Sequence, residues 1–246
     1  ESSAASDVYK RQSSTNLQVL ITILGTWIIC PIIAGVIAMG LFTFTKRVIL
    51  NRKLHILRLD AYTRTALLLA GAFGAYSLGA NNIANVMGVF VPISPFTDVT
   101  IGNLFVFSSK EQLFLLGGLA IAVGVFTYSK RVMFTVGNDL LKMTPVAAFI
   151  VVISHSIVLF LFASQGISAF LQSINLPSIP LVPVSSSQAV VGGVIGIGLL
   201  KGGKEVQWSI AGRISLGWMT LPIIAALISL IVLFILENIF NLTVSF

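Results

Sequence analysis

Two stretches of this chain hold more hydrogen-bonding capacity than their surroundings explain. Gly79-Ala80-Asn81-Asn82-Ile83-Ala84-Asn85 places three amides within a run that has no charge from 65 to 97. The second, Pro183-Val184-Ser185-Ser186-Ser187-Gln188-Ala189, sets three hydroxyls and an amide between two prolines (Pro180 and Pro183) and an apolar run. Amides both donate and accept hydrogen bonds. Serines that precede an apolar run are good N-caps. A helix that starts there presents free N–H groups and a partial positive charge, which together suit an anion. Asn81, Asn82, Ser185, Ser186, Ser187 and Gln188 are therefore the candidate ligand-binding residues. Each stretch alone also fits a structural role, as a helix cap or an inter-helix bond. As the two densest polar interruptions of the apolar runs, they predict a site for moving a small oxyanion.

The elements that must position them are membrane helices. Of the 246 residues 56% are hydrophobic and 9% charged, with a mean hydropathy of +0.99. Soluble domains carry about 25% charged residues. Uncharged runs cover 17–45, 65–97, 112–129, 143–200 (His155 apart) and 214–236, each close to or above the roughly 20 residues that cross a bilayer. The fold class is all-α, a polytopic helical membrane protein with broken or re-entrant helices.

The net charge of +7 does not imply a nucleic-acid partner. Lys46, Arg47, Arg52, Lys53, Arg58 and Arg64 lie between the first two apolar runs, Lys130, Arg131 and Lys142 between the third and fourth, and Lys201, Lys204 and Arg213 before the last. The connection 93–109 carries Asp98 and no Lys or Arg, and 169–183 carries no charge at all. Positive loops stay on the cytoplasmic side, so the basicity reports topology. Cys30 is the single cysteine, which excludes a disulfide or thiolate cluster within the chain. No metal-ligand spacing, nucleophilic triad or nucleotide loop is visible, so the chain is read as a non-enzyme with no cofactor. His155, without a carboxylate partner in its run, reads as a packing residue.

Residues 1–12 are polar, lack a signal-peptide core and read as a foreign extension. Residues 13–246 form one transmembrane domain of about six segments. Helices are expected near 17–44, 110–128, 146–168 and 210–236, with a segment at 62–92 broken at Gly79 and the amides, and an apolar segment at 184–200. Residues 146–200 fit either two spans or a re-entrant hairpin. Gly192 and Gly196 have the spacing that lets two helices approach closely.

These two motifs resemble the inorganic phosphate transporter (PiT) family. Its signature Gly-Ala-Asn-Asp-hydrophobic-Ala-Asn is matched from Gly79 to Asn85, and its Pro-Val-Ser-(Ser/Thr)-(Ser/Thr)-(Gln/His)-Ala hairpin tip from Pro183 to Ala189. The likeness extends over about residues 62–236, through a basic loop near Tyr128 and a Trp-containing terminal helix. It implies one half, the C-terminal one, of an inverted-repeat transporter in the plasma membrane. It also implies cation-coupled uptake of phosphate (Na⁺ or H⁺ symport), dimerisation, and a missing N-terminal half or second subunit. Where the family has Asp this chain has Asn82, whose amide offers Na⁺ an oxygen without full charge. Asn82, Asn85 and Ala80 are the candidate cation-binding residues. A carboxylate-free, donor-rich site also suits sulfate, so a sulfate permease is the alternative substrate reading. A non-transporting half or assembly subunit is the alternative role.

Overall fold

The computed structural model describes residues 17–50, 56–102, 105–134 and 143–240. The proposed extension at 1–12 lies outside these, as do parts of the basic loops. Helix α1 (Leu17–Thr45) is followed by a π-helical turn, Lys46–Leu50. Helix α2 (Ile56–Met87) ends in a 3₁₀ turn, Gly88–Ile93, that contains Pro92. A two-stranded antiparallel hairpin, β1 (Val99–Ile101) and β2 (Phe105–Phe107), leads into α3 (Ser109–Phe134). Helix α4 (Pro145–Ala163) and the short α5 (Gln165–Ser173) meet at Ser164, and α6 (Ser186–Leu200) follows a proline-rich connection. Helix α7 (Trp208–Phe240), with Pro222 inside it, belongs to a separate compact unit.

Among the described residues, four helices (α1, α3, α4 and α7) are long and apolar enough to cross a membrane. The 15 residues of α6 rise only about 22 Å, short of the roughly 30 Å hydrocarbon core.

One expectation is overturned. Gly79 and the three asparagines do not break their helix: α2 runs unbroken for 32 residues, and begins at Ile56 rather than near 62. Helix propensity costs Asn only a few tenths of a kcal/mol relative to the best residues. Here the amides also find partners while helical. Asn82 Nδ2 donates to the carbonyl of Leu78, one turn back, at 3.2 Å. The basic stretch at 45–60 is accordingly partly helical, with Arg64 paired to Asp60 at 2.9 Å. The hairpin before α3 was not foreseen. Asp98 Oδ1 accepts from the N–H of Ser109 at 2.7 Å and so caps α3, and Gln112 Nε2 donates to the carbonyls of Thr97 and Phe107.

Helix α2 packs along α4, and α4 along α6. Phe73 and Tyr76 of α2 set their rings against Phe160 of α4, with centroids 5.6 and 6.4 Å apart. Helices α1 and α6 meet through small residues. A Cβ built on Gly192 would run into the carbonyl of Pro31, and one on Gly196 would lie 2.5 Å from the carbonyl oxygen of Gly35. Without a hydrophobic driving force between helices in lipid, such backbone contact supplies the packing energy. Beyond α6, Gly202 (φ +92°) and Gly203 (φ +73°) turn the chain left-handed. There the Gly203 N–H closes on the Gly198 carbonyl at 2.9 Å, a helix stop that favours glycine.

The close approach of α1 and α6 makes a prediction. Gly196→Ala should destabilise the folded protein by about 1–3 kcal/mol, the usual cost of overpacking. Gly124→Ala on α3, where nothing lies within 4 Å, should be neutral or slightly stabilising. Thermal unfolding of both variants in detergent, compared with the parent, checks the contrast.

Candidate functional site

The connection before α6 is built residue by residue. Pro180 and Pro183 lack N–H donors and fix φ, so no helix continues through them. The chain turns at Pro180, whose carbonyl accepts from the N–H of Val182 at 2.9 Å. Ser185 is extended (φ −78°, ψ 117°), and its Oγ accepts from the N–H of Gln188 at 3.4 Å, as an N-cap does. The Ser185 and Ser187 hydroxyls lie 3.0 Å apart. Among the described residues, the N–H groups of Ser186 and Ser187 have no acceptor. Ser186 is half-buried and Ser187 exposed.

The two polar stretches meet. Val184 N–H donates to Asn81 Oδ1 at 2.9 Å, a bond between positions 103 apart in sequence. Both ends are buried, Asn81 at 6% exposure and Val184 at 2%. From the other side, Cys30 Sγ lies 3.8 Å from the Ser185 carbonyl as a weak donor. Beneath this turn, Val184 and Ala189 pack with Cys30, Ala34, Val158, Leu159 and Phe162, joining α1, α4 and α6 in one apolar cluster.

Gln188 is 4% exposed, and its Oε1 is a buried acceptor with no hydrogen-bond partner among the described residues. A buried oxygen without a donor costs roughly 1–3 kcal/mol. In a native site it marks a place for a water, a ligand proton or a cation.

Of the residues singled out from sequence, Asn81, Ser185, Ser186, Ser187 and Gln188 thus cluster at the turn into α6. Asn82 is half-buried on α2 and makes no bond to that turn; its amide nitrogen is taken by Leu78. Ala80 is exposed and, in an unbroken helix, its carbonyl belongs to the helical ladder. The side chain of Asn85 lies outside the described set. Among the described residues no cluster of His, Cys, Asp or Glu could hold a metal ion.

Two cavities lie elsewhere. Both are formed by the start of α2, around Leu59 and Thr63, with Val146 at the start of α4; Thr45 adds to a smaller one of about 270 Å³, and Thr144 and Lys201 to a larger one of about 520 Å³. The residue that sequence reasoning missed is Val184. It looks like filler between Pro183 and the serines, yet its backbone N–H joins the two motifs.

Removing the cap tests this local build. Ser185→Ala should cost about 0.5–2 kcal/mol and fray the first turn of α6. Hydrogen exchange at the Gln188 amide should quicken several-fold while amides in the middle of α4 stay unchanged.

Comparison with known proteins follows the same motifs. Residues 56–229 and 176–244 match the family described as the Phosphate transporter family. A Methanocaldococcus jannaschii protein described as a phosphate permease is 30% identical over 220 residues, 89% of this chain and 62% of that protein. The human sodium-dependent phosphate transporter 1 is 28% identical over 161 residues, 63% of this chain and 21% of that protein. A solved structure of a sodium-dependent phosphate transporter superposes with a TM-score of 0.59 at 19% identity, covering 83% of this chain and 63% of the other. That likeness shows a shared fold. The chain spans less than two thirds of each of these proteins.

Proposed function

This chain belongs to the Phosphate transporter family, and we propose that it forms part of a secondary transporter that takes up inorganic phosphate with a coupling cation. The observation that carries the reading is the buried bond from Val184 to Asn81, which joins α2 to the turn just before α6, where the Ser186 and Ser187 N–H groups have no acceptor among the described residues. Phosphate oxygens would accept from the N–H groups of Ser186 and Ser187 and from the hydroxyls of Ser185, Ser186 and Ser187, with Asn81 and Asn82 at the edge. These are neutral dipoles, and a dianion taken out of water needs charge compensation as well. A cation offsets it. Asn82, Asn85 and Ala80 are the residues proposed to hold it, and relatives named sodium-dependent support Na⁺.

Gln188 bears on the choice of anion. Its buried Oε1 has nothing to accept from. Hydrogen phosphate brings an O–H donor, sulfate brings none, and a nearby Na⁺ would serve equally. Hydrogen phosphate can therefore satisfy this acceptor with its own proton, whereas sulfate would leave it to Na⁺. The resemblance to a two-halved transporter supplies the remainder: a second half, or a second subunit, would close the site from the opposite side. Rocking of one helical bundle against the other would expose it to each face in turn.

The test uses the full-length protein in proteoliposomes with radiolabelled phosphate. A hydrogen bond to a charged group is worth about 1.5–3 kcal/mol, so Ser186→Ala should weaken phosphate affinity at least about tenfold. Replacing the inward Na⁺ gradient by K⁺ should abolish uptake if Na⁺ is the coupling ion. Unaltered affinity in Ser186→Ala would remove the assigned site. Equal displacement by sulfate would turn the substrate reading to sulfate, and absence of uptake by the parent would favour an assembly role.

A further inference from the structure

We propose that Asn81 is a positioning residue: its amide oxygen anchors the turn that leads into α6, and ligand contact falls to the groups beyond it. A side-chain amide has one oxygen and two N–H donors. The Asn81 oxygen receives the Val184 N–H at 2.9 Å in a buried setting, and that bond fixes the amide's orientation toward the turn. The Val184 N–H has no alternative within its own segment. Proline precedes it, and the Ser185 cap is already taken by Gln188. A buried N–H without an acceptor is costly, and that cost holds the turn to α2.

The anchor lies two residues from the first free N–H of α6. Where Val184 sits, and how Ser185 is extended after it, fixes the direction in which the Ser186 and Ser187 N–H groups point. On the opposite side Cys30 leans on the Ser185 carbonyl. The turn is thus gripped by α1 and α2 together, with Cys30 shut beneath it at 0% exposure. Losing the Asn81 grip frees the turn to lift, which both misdirects the N–H groups and uncovers the thiol.

The inference rests on the phosphate reading for its kinetic arm alone. Full-length protein in which Cys30 is the sole cysteine is reacted with N-ethylmaleimide, in the parent and in Asn81→Ala, Asn81→Gln and Asn81→Asp. Asn81→Asp keeps an acceptor in place, so Cys30 should label within twofold of the parent rate. Asn81→Ala should label at least tenfold faster. If Asn81→Ala does not elute as a monodisperse species, Asn81→Gln, which displaces the oxygen by one methylene, takes its place with the same direction of change.

In uptake assays the same variant should raise the phosphate KM at least fivefold with kcat per folded transporter within twofold. Cys30 protected alike in all variants would overturn the proposal, as a direct ligand role for Asn81 would give that pattern. An unchanged KM with fewer folded transporters would also overturn it, by making the residue purely a stabiliser. Should the parent take up no phosphate, the function assigned above fails, and the labelling arm still decides the role of Asn81.

Discussion

A backbone N–H that leaves helical geometry inside a membrane protein has no bulk water to bond instead. It must find an acceptor in the protein or line a polar cavity. In the turn into α6, part of the backbone meets this constraint within the protein. Pro180 and Pro183 remove two donors altogether. Val182 returns to Pro180, Val184 goes to Asn81, and Gln188 goes to the Ser185 hydroxyl. Among the described residues, the N–H groups of Leu181, Ser185, Ser186 and Ser187 remain without an acceptor. Three of these, at Ser185, Ser186 and Ser187, are consecutive at one helix start, where an anion is the natural acceptor.

The same constraint explains why α2 does not break. An asparagine-rich helix interior is costly when its amides compete with the backbone. In α2 they are employed without unwinding: Asn82 bonds back along its own helix, and Asn81 reaches out to a segment that cannot satisfy itself. The amide stretch is thus a rigid wall against which a mobile-looking turn is fixed. The small residues of α1 and α6 serve the same end. Close contact of Gly192 and Gly196 with Pro31 and Gly35 holds the lower part of α6, so the start of that helix is restrained from two directions.

How much of this was legible in the sequence depended on range. The Ser185 cap and the start of α6 at Ser186 are local facts, written in a proline, three serines and an apolar run, and the structure places them within two residues of expectation. Gly192 and Gly196 announced close packing through their spacing, though not that α1 would be the partner. The break between α4 and α5 at Ser164 was missed, because a serine cap inside a hydrophobic run looks like a helical serine. The supposed break at Gly79 was the opposite error, in which weak local preference was given more weight than a bond to a residue 103 positions away. Such a bond leaves no trace in periodicity, because its donor is a backbone group and any residue except proline carries one.

Long-range backbone bonds of this kind also show how the turn is supported within one compact unit. In the unit from Ile21 to Val206, α1, α2 and α4 all contribute to gripping or supporting the α6 turn. The local shape of the proposed anion site is thus built largely from that unit. Charge is a different matter. None of the groups at the turn carries a full positive charge, and Asn82 brings no negative charge to attract a cation. A dianion desolvated against neutral dipoles alone is poorly compensated. On the proposed reading, charge balance would come from a bound cation or from other parts of the transporter. On that reading, the neutral character of the turn is a physical reason for the proposed coupling of anion uptake to a cation.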